Sequence, residues 1–268
     1  MPRIRVSTGT ELYYERVGQG PPLLLIMGTG LDHSVWAAQV EAYGREFECL
    51  CFDNRGIGRS QPHRGELTTR LLAEDAAAML DGLGIERAHV SGLSLGSCVA
   101  QELTLLRPEM VLSLQLHGTW ARAYGYAERK FKAQILLLET MAVKPFYEIN
   151  VLFIHTPEFM ARHGERVAAQ IEAIAANAPS PESIKAQYLA DLNHDSLARL
   201  PGISAPTLVT VGSFDTALPP MYAREAAQAI PGAELVVFEG GGHLHNVEQP
   251  EEFNRVTLDF LRRHRDRA

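Results

Sequence analysis

The segment Gly92-Leu93-Ser94-Leu95-Gly96 constrains this chain more than any other stretch of it. It stands between a strand-like run, Ala88-His89-Val90, and a helix-like run over 98–106. A serine between a strand and a helix must take a tight, strained turn if its hydroxyl is to project above a sheet. Glycines two positions to either side remove the Cβ atoms that would clash in such a turn. The same turn aims the Leu95 amide and the start of the following helix at one spot, where an oxyanion could develop. The fold must therefore supply a strand, a sharp turn and a helix in that order.

The rest of the chain repeats this alternation. Strands are predicted over 3–6, 12–17, 23–27, 47–52, 88–92, 111–117, 207–211 and 234–238. Runs such as Leu23-Leu24-Leu25-Ile26-Met27 and Leu208-Val209-Thr210-Val211 are almost continuously apolar, as strands covered on both faces are. Helical spacing of apolar residues recurs over 71–83, 95–106, 219–230 and 250–263. Strands alternating with helices predict an α/β fold with a doubly wound, mostly parallel eight-stranded sheet, its first two strands forming an antiparallel edge. The alternation breaks over 119–200, which is helix-rich and punctuated by Pro145, Pro157, Gly164, Pro179 and Pro181. We read it as a helical cap inserted after the sixth strand, with residues 1–118 and 201–268 forming the core domain.

Composition narrows the function. A net charge of −7 argues against a nucleic-acid partner, and no apolar run is long enough to span a membrane. Cys49, Cys51 and Cys98 all sit in apolar runs. An odd cysteine count without a secretory signal reads as buried, reduced thiols in a cytoplasmic protein. A small-molecule substrate is the expected partner, and a homodimer is a candidate assembly.

A serine hydroxyl needs a base to act as a nucleophile. Of the ten histidines, His243 is singled out by Glu239-Gly240-Gly241-Gly242-His243, directly after the last predicted strand. Asp215, in Gly212-Ser213-Phe214-Asp215, follows the preceding strand. Loops at the carboxyl ends of parallel strands converge, so both reach the rim where the Ser94 turn opens. The order Ser94, Asp215, His243 suits a nucleophile, the acid that orients the base, and the base itself. His245 is the rival base, two residues further on. His117 ends a strand near the same rim, as either a pocket residue or an ordinary strand end.

On these residues the chain resembles the α/β-hydrolase fold family. The resemblance is carried by 23–36, Asp53-Asn54-Arg55-Gly56-Ile57-Gly58-Arg59-Ser60, 92–96, 212–219 and 242–253. In layout it is similar to the enol-lactone hydrolases and to the aminoacrylate or carbamate hydrolases. The resemblance implies an oxyanion hole built from the amides of Thr29 and Leu95, with Gly28 beside it a candidate substrate contact, and a structural role for Asp53 and Arg55. Family members often carry His-Gly where this chain has Met27-Gly28, which removes one loop-stabilising hydrogen bond. A serine in the nucleophile slot excludes the aspartate-dependent dehalogenase and epoxide hydrolase chemistries. No dinucleotide fingerprint and no metal-ligand spacing appear, so no cofactor and no metal are expected.

The resulting expectation is an enzyme cleaving an ester, lactone, carbamate or amide bond through an acyl-enzyme. The same residues would also serve a carbon–carbon hydrolase or a cofactor-free perhydrolase or haloperoxidase, and a non-catalytic ligand receptor is a third reading. Phe131, Leu138, Met141, Phe146, Tyr147, Phe153, Phe159 and Met160 of the cap suggest an apolar pocket wall or plain packing. Trp120 and Arg122, just past the sixth strand, are candidate substrate contacts. Arg122 would either pair with a substrate carboxylate or form a surface ion pair.

Overall fold

The computed structural model describes residues 2–63 and 65–265. Eight strands form one sheet: β1 (Arg3–Arg5), β2 (Glu11–Val17), β3 (Pro22–Ile26), β4 (Glu48–Phe52), β5 (Ala88–Leu93), β6 (Val111–His117), β7 (Thr207–Gly212) and β8 (Glu234–Phe238). Their spatial order is β1-β2-β4-β3-β5-β6-β7-β8. β2 runs antiparallel to both β1 and β4, and every pairing from β4 through β8 is parallel. The antiparallel edge thus lies where the sequence pattern put it.

Both faces of the sheet are covered, which is why its central strands are apolar throughout. Helices α1 (Ala37–Tyr43) and α10 (Pro250–Arg263) cover one face, packing Tyr43, Phe253 and Leu261 on Leu23, Leu25, Cys49 and Cys51. Helices α2 (Thr69–Gly82), α3 (Leu95–Leu106) and α8 (Pro220–Ala229) cover the other, packing Leu72, Leu80, Val99 and Ala223 on Leu24, Ile26, Val90 and Val209. The cysteines are buried and unpaired, as their apolar setting suggested. Burial pushes the Cys49 thiol up to about 12.

Between β6 and β7 the chain makes four helices, α4 (Tyr126–Thr140), α5 (Val143–Ile154), α6 (Pro157–Ala176) and α7 (Pro181–Asn193). They share a cluster including Phe131, Phe146, Tyr147, Val151 and Tyr188, joined to the core through Leu218 and Tyr222. Among the described residues no helix is long and apolar enough to cross a membrane.

The strand order fixes where a ligand can bind. After β3 the chain moves outward to β4; after β4 it crosses back to β5 on the other side of β3. The crevice between the carboxyl ends of β3 and β5 is therefore the topological switch point, where loops part and leave room.

Candidate active site

Ser94 sits at that crevice with φ 55° and ψ −125°, the one non-glycine at positive φ among the described residues. Such a conformation costs on the order of 1–3 kcal/mol and persists only where the surroundings enforce it. They do so here: the Ser94 amide donates to the His117 carbonyl at 2.9 Å, and the Ser94 carbonyl accepts from the Ser97 amide at 2.8 Å and the Ser97 hydroxyl at 2.6 Å. The flanking glycines are sterically required. A Cβ on Gly92 would lie 2.1 Å from the Gly96 carbonyl oxygen, and one on Gly96 would lie 2.1 Å from that of Ile26.

The short helix α9 (His245–Glu248) follows the glycine-rich loop after β8. His243, in that loop, meets Asp215 with Nδ1 2.7 Å from Oδ2. The other oxygen, Oδ1, accepts the Leu218 amide at 2.8 Å, so both oxygens of this buried carboxylate are committed. An imidazole so held carries its proton on Nδ1 and leaves Nε2 as the basic nitrogen. Gly118 makes the pairing possible. Its φ is +55°, and a Cβ there would lie 2.9 Å from His243 Cε1 and 3.0 Å from Nδ1. No sequence signal pointed to that glycine.

His245 is not placed to act as a base on Ser94. Its Nδ1 faces the His243 carbonyl at 3.2 Å and its Nε2 lies 2.7 Å from Thr210 Oγ1. Burial pushes its ring down to about 4. His117 lies deeper in the same chain of contacts, bonded to Ser91 Oγ at 3.0 Å and Thr210 Oγ1 at 2.7 Å, and burial lowers its ring well below the ordinary histidine value. The ring is a strand-packing group beneath the site and does not line the pocket.

Ser94 and His243 line a shared cavity of about 30 Å³ with Met27, Gly28 and Thr29, space for about two water-sized groups. A Cβ on Gly28 would lie 2.8 Å from Ser94 Cβ, so only glycine lets the 27–30 loop come this close. Among the described residues, neither the Thr29 nor the Leu95 amide donates an intramolecular hydrogen bond. Both N–H groups remain available beside Ser94. The loop's missing histidine is offset from elsewhere: Asn54 Nδ2 donates to the Met27 carbonyl at 2.8 Å, Gln187 Oε1 accepts from the Gly30 amide at 2.8 Å, and the Tyr147 hydroxyl donates to the Gly30 carbonyl at 2.8 Å. Thr29 Oγ1 donates to Asp191 Oδ2 at 2.7 Å.

Asp53 and Arg55 are structural. Asp53 Oδ1 accepts the His33 amide at 3.0 Å and Oδ2 accepts the Arg59 amide at 2.8 Å, while Arg55 grips buried Asp75 with two nitrogens at 2.7 and 2.5 Å. Asp32, His33 and Asp53 approach one another at ligand-like spacing. Asp53 is engaged by the His33 ring and amide and the Arg59 amide, and Asp32 Oδ1 accepts from the Ser34 amide.

The expected pocket wall needs correction. Trp120 and Phe146 are buried in the hydrophobic cluster around α4, α5 and α7 and Phe153 is half-buried, its carbonyl bonded to Thr216. None of the three lines the Ser94 cavity. Arg122 is about half exposed, pairs with Glu225 at 3.5 Å and lies over the Tyr124 ring. The wall that the insertion does contribute includes Lys130, Phe131, Asn150, Tyr188 and Asp191, and it is more polar than the apolar composition of the helices implied. The charged residues were missed because helical periodicity reports which face is buried, not which few polar residues that face carries.

The strand order, the strained serine turn and the histidine–carboxylate pair at the switch point define an α/β enzyme of the hydrolase class. The chain belongs to the alpha/beta hydrolase fold family, whose description matches residues 21–250. It is 30% identical, over 93% of its own length and 94% of the relative's, to a protein of Azorhizobium caulinodans provisionally named carbamate hydrolase RutD. The structure resembles the enol-lactonase of Burkholderia xenovorans LB400 (TM-score 0.90, 29% identity, 97% and 99% of the two chains). It also resembles a thermophilic esterase of Thermogutta terrifontis solved with malate bound (TM-score 0.89, 30% identity, 99% and 100% covered).

Proposed function

We propose that this hydrolase cleaves an ester, lactone, carbamate or amide bond of a small molecule through an acyl-enzyme on Ser94. The observation that carries the reading is the 2.7 Å bond between His243 Nδ1 and Asp215, made at the wall of the cavity that Ser94 lines. In the forward step Ser94 Oγ adds to the carbonyl carbon as its proton passes to His243 Nε2. The imidazolium is stabilised by the Asp215 carboxylate. The carbonyl oxygen, now an oxyanion, accepts from the Thr29 and Leu95 amides, each worth about 3 kcal/mol of transition-state stabilisation. His243 returns its proton to the leaving group as the tetrahedral centre collapses. Water, deprotonated by the same ring, then releases the acid and regenerates Ser94.

Relatives named for enol-lactone, carbamate and ester chemistry support this class of bond. The test is covalent labelling by a fluorophosphonate together with turnover of p-nitrophenyl acetate. Wild type should do both, and Ser94→Ala should do neither. Labelling elsewhere in the chain, or turnover persisting in Ser94→Ala, would overturn the assignment.

A further inference from the structure

Two charged side chains of the insertion face the Ser94 cavity, and the acyl-transfer steps use neither. Lys130 reaches it from α4 and Asp191 from α7. The Lys130 ammonium lies over the ring of Phe131, 4.7 Å from its centroid, and 5.9 Å from that of Tyr188. These ring faces hold the charge in place without using up its N–H donors. Among the described residues it has no ion-pair or hydrogen-bond partner.

Asp191 is 1% exposed. Its Oδ2 accepts from Thr29 Oγ1, and its Oδ1 is buried with no partner. Burial lowers the lysine and raises the aspartate from their ordinary values, each opposing charge acting against the shift. A buried carboxylate oxygen without a donor is costly, and native structures keep one where a function repays it. The arrangement is therefore an acceptor site at Asp191 Oδ1 and a donor site at Lys130 Nζ, both walls of the space beside Ser94. Arg122, paired with Glu225 outside, competes for neither.

We propose that Lys130 and Asp191 together read the far end of the acyl group, selecting a short acyl chain that ends in a primary amide, carbamoyl or ureido group. Such an end presents a carbonyl oxygen to the ammonium and an N–H to the carboxylate. It is dipolar and uncharged, matching a site that carries one charge of each sign. A terminal carboxylate would satisfy Lys130 but face Asp191 with like charge. A branched hydrocarbon of the same shape would leave both groups desolvated and unpartnered. Thr29 ties recognition to chemistry, because its hydroxyl holds Asp191 while its amide is one of the oxyanion donors. The proposal rests on the Ser94 acyl-enzyme reading.

The test compares three esters of nearly equal shape: ethyl succinamate, monoethyl succinate and ethyl 4-methylpentanoate, followed by pH-stat as kcat/KM. Wild type should prefer the succinamate over the hydrocarbon ester by tenfold or more. Lys130→Met should bring that ratio close to one, and Lys130→Arg should restore most of it. Asp191→Asn should lower the preference for succinamate over monoethyl succinate at least tenfold, since it removes the negative charge and, with Thr29 still donating to the remaining oxygen, turns an NH2 toward the ligand in place of the acceptor. The exposed control Lys132→Met, whose residue pairs with Glu128 on the helix surface, should leave every ratio as in wild type. Fluorophosphonate labelling is read on the same proteins. Labelled Lys130→Met and Asp191→Asn with wild-type ratios would overturn the Lys130–Asp191 site alone. A wild type that neither labels nor turns over any of the esters would overturn both readings.

Discussion

Glu248 offers a sharp test of how the insertion and the histidine loop are joined. Its carboxylate is almost fully buried and collects donors from both sides. Oε1 accepts from His155 Nδ1 at 3.0 Å and the Thr156 amide at 2.9 Å, while Oε2 accepts from Thr156 Oγ1 at 3.1 Å and the Gly242 amide at 3.1 Å. His155 and Thr156 are the joint between α5 and α6, and Gly242 precedes His243. In Glu248→Gln one oxygen keeps its partners, but the new NH2 faces the Gly242 N–H, donor against donor. The Thr156 hydroxyl can turn and accept, so the net change is one orphaned backbone amide plus the lost charge assistance on the others. At 1–3 kcal/mol for an orphaned donor, and a smaller sum for the weakened bonds, the expected loss is roughly 2–4 kcal/mol. That corresponds to a fall in Tm of about 5–15 °C. Because the orphaned amide adjoins the loop that carries His243, the base of the proposed mechanism, kcat should also fall about tenfold to a hundredfold.

The pH dependence has a definite sign. Burial would raise the Glu248 carboxyl, but the hydrogen bonds from His155 and from the Thr156 and Gly242 amides outweigh it and hold the group below its ordinary value of 4.5. A depressed folded-state pKa stabilises fully above the unfolded value and is lost as pH falls through the folded one. The stability gap between wild type and Glu248→Gln should therefore be full at neutral pH and shrink below about 4.5. Urea unfolding at pH 7 and pH 4, with steady-state kinetics at pH 7, measures all three quantities. A variant within 1 kcal/mol of wild type with unchanged kcat would refute the coupling.

Two further outcomes follow from backbone geometry. Ser94→Gly should be more stable than wild type by about 1 kcal/mol in urea unfolding, because glycine takes φ 55° without the cost a side chain incurs; an unchanged midpoint would mean the turn stores no strain. Gly118→Ala should lose about 1–2 kcal/mol of stability for a Cβ at positive φ, and roughly tenfold to a hundredfold of kcat, since the new Cβ would meet the His243 ring at 2.9 Å; a wild-type kcat would show that the ring has room to spare.

The sequence alone determined the architecture and the placing of its principal loops. Apolar strand runs alternating with helical periodicity require a covered parallel sheet, because a strand apolar on both faces has no other way to exclude water. Gly92 and Gly96 around Ser94 require a sharp turn, and the positions of Asp215 and His243 just after consecutive strands place them at one rim, because parallel strands end on one side. These inferences need only local pattern and connectivity. What the sequence could not decide was which side chains meet across long separations. Gly118 against His243, Glu248 against Thr156, Asn54 in place of a missing histidine, and Lys130 and Asp191 beside Ser94 all bring together residues from different elements. Of the aromatic residues offered for the pocket wall, Phe131 does line the cavity, whereas Phe146 packs within the helical cluster and Phe153 lies away from the cavity. Packing of the insertion on the core selects the residues that face the cavity, and that selection depends on three-dimensional contacts no single segment encodes.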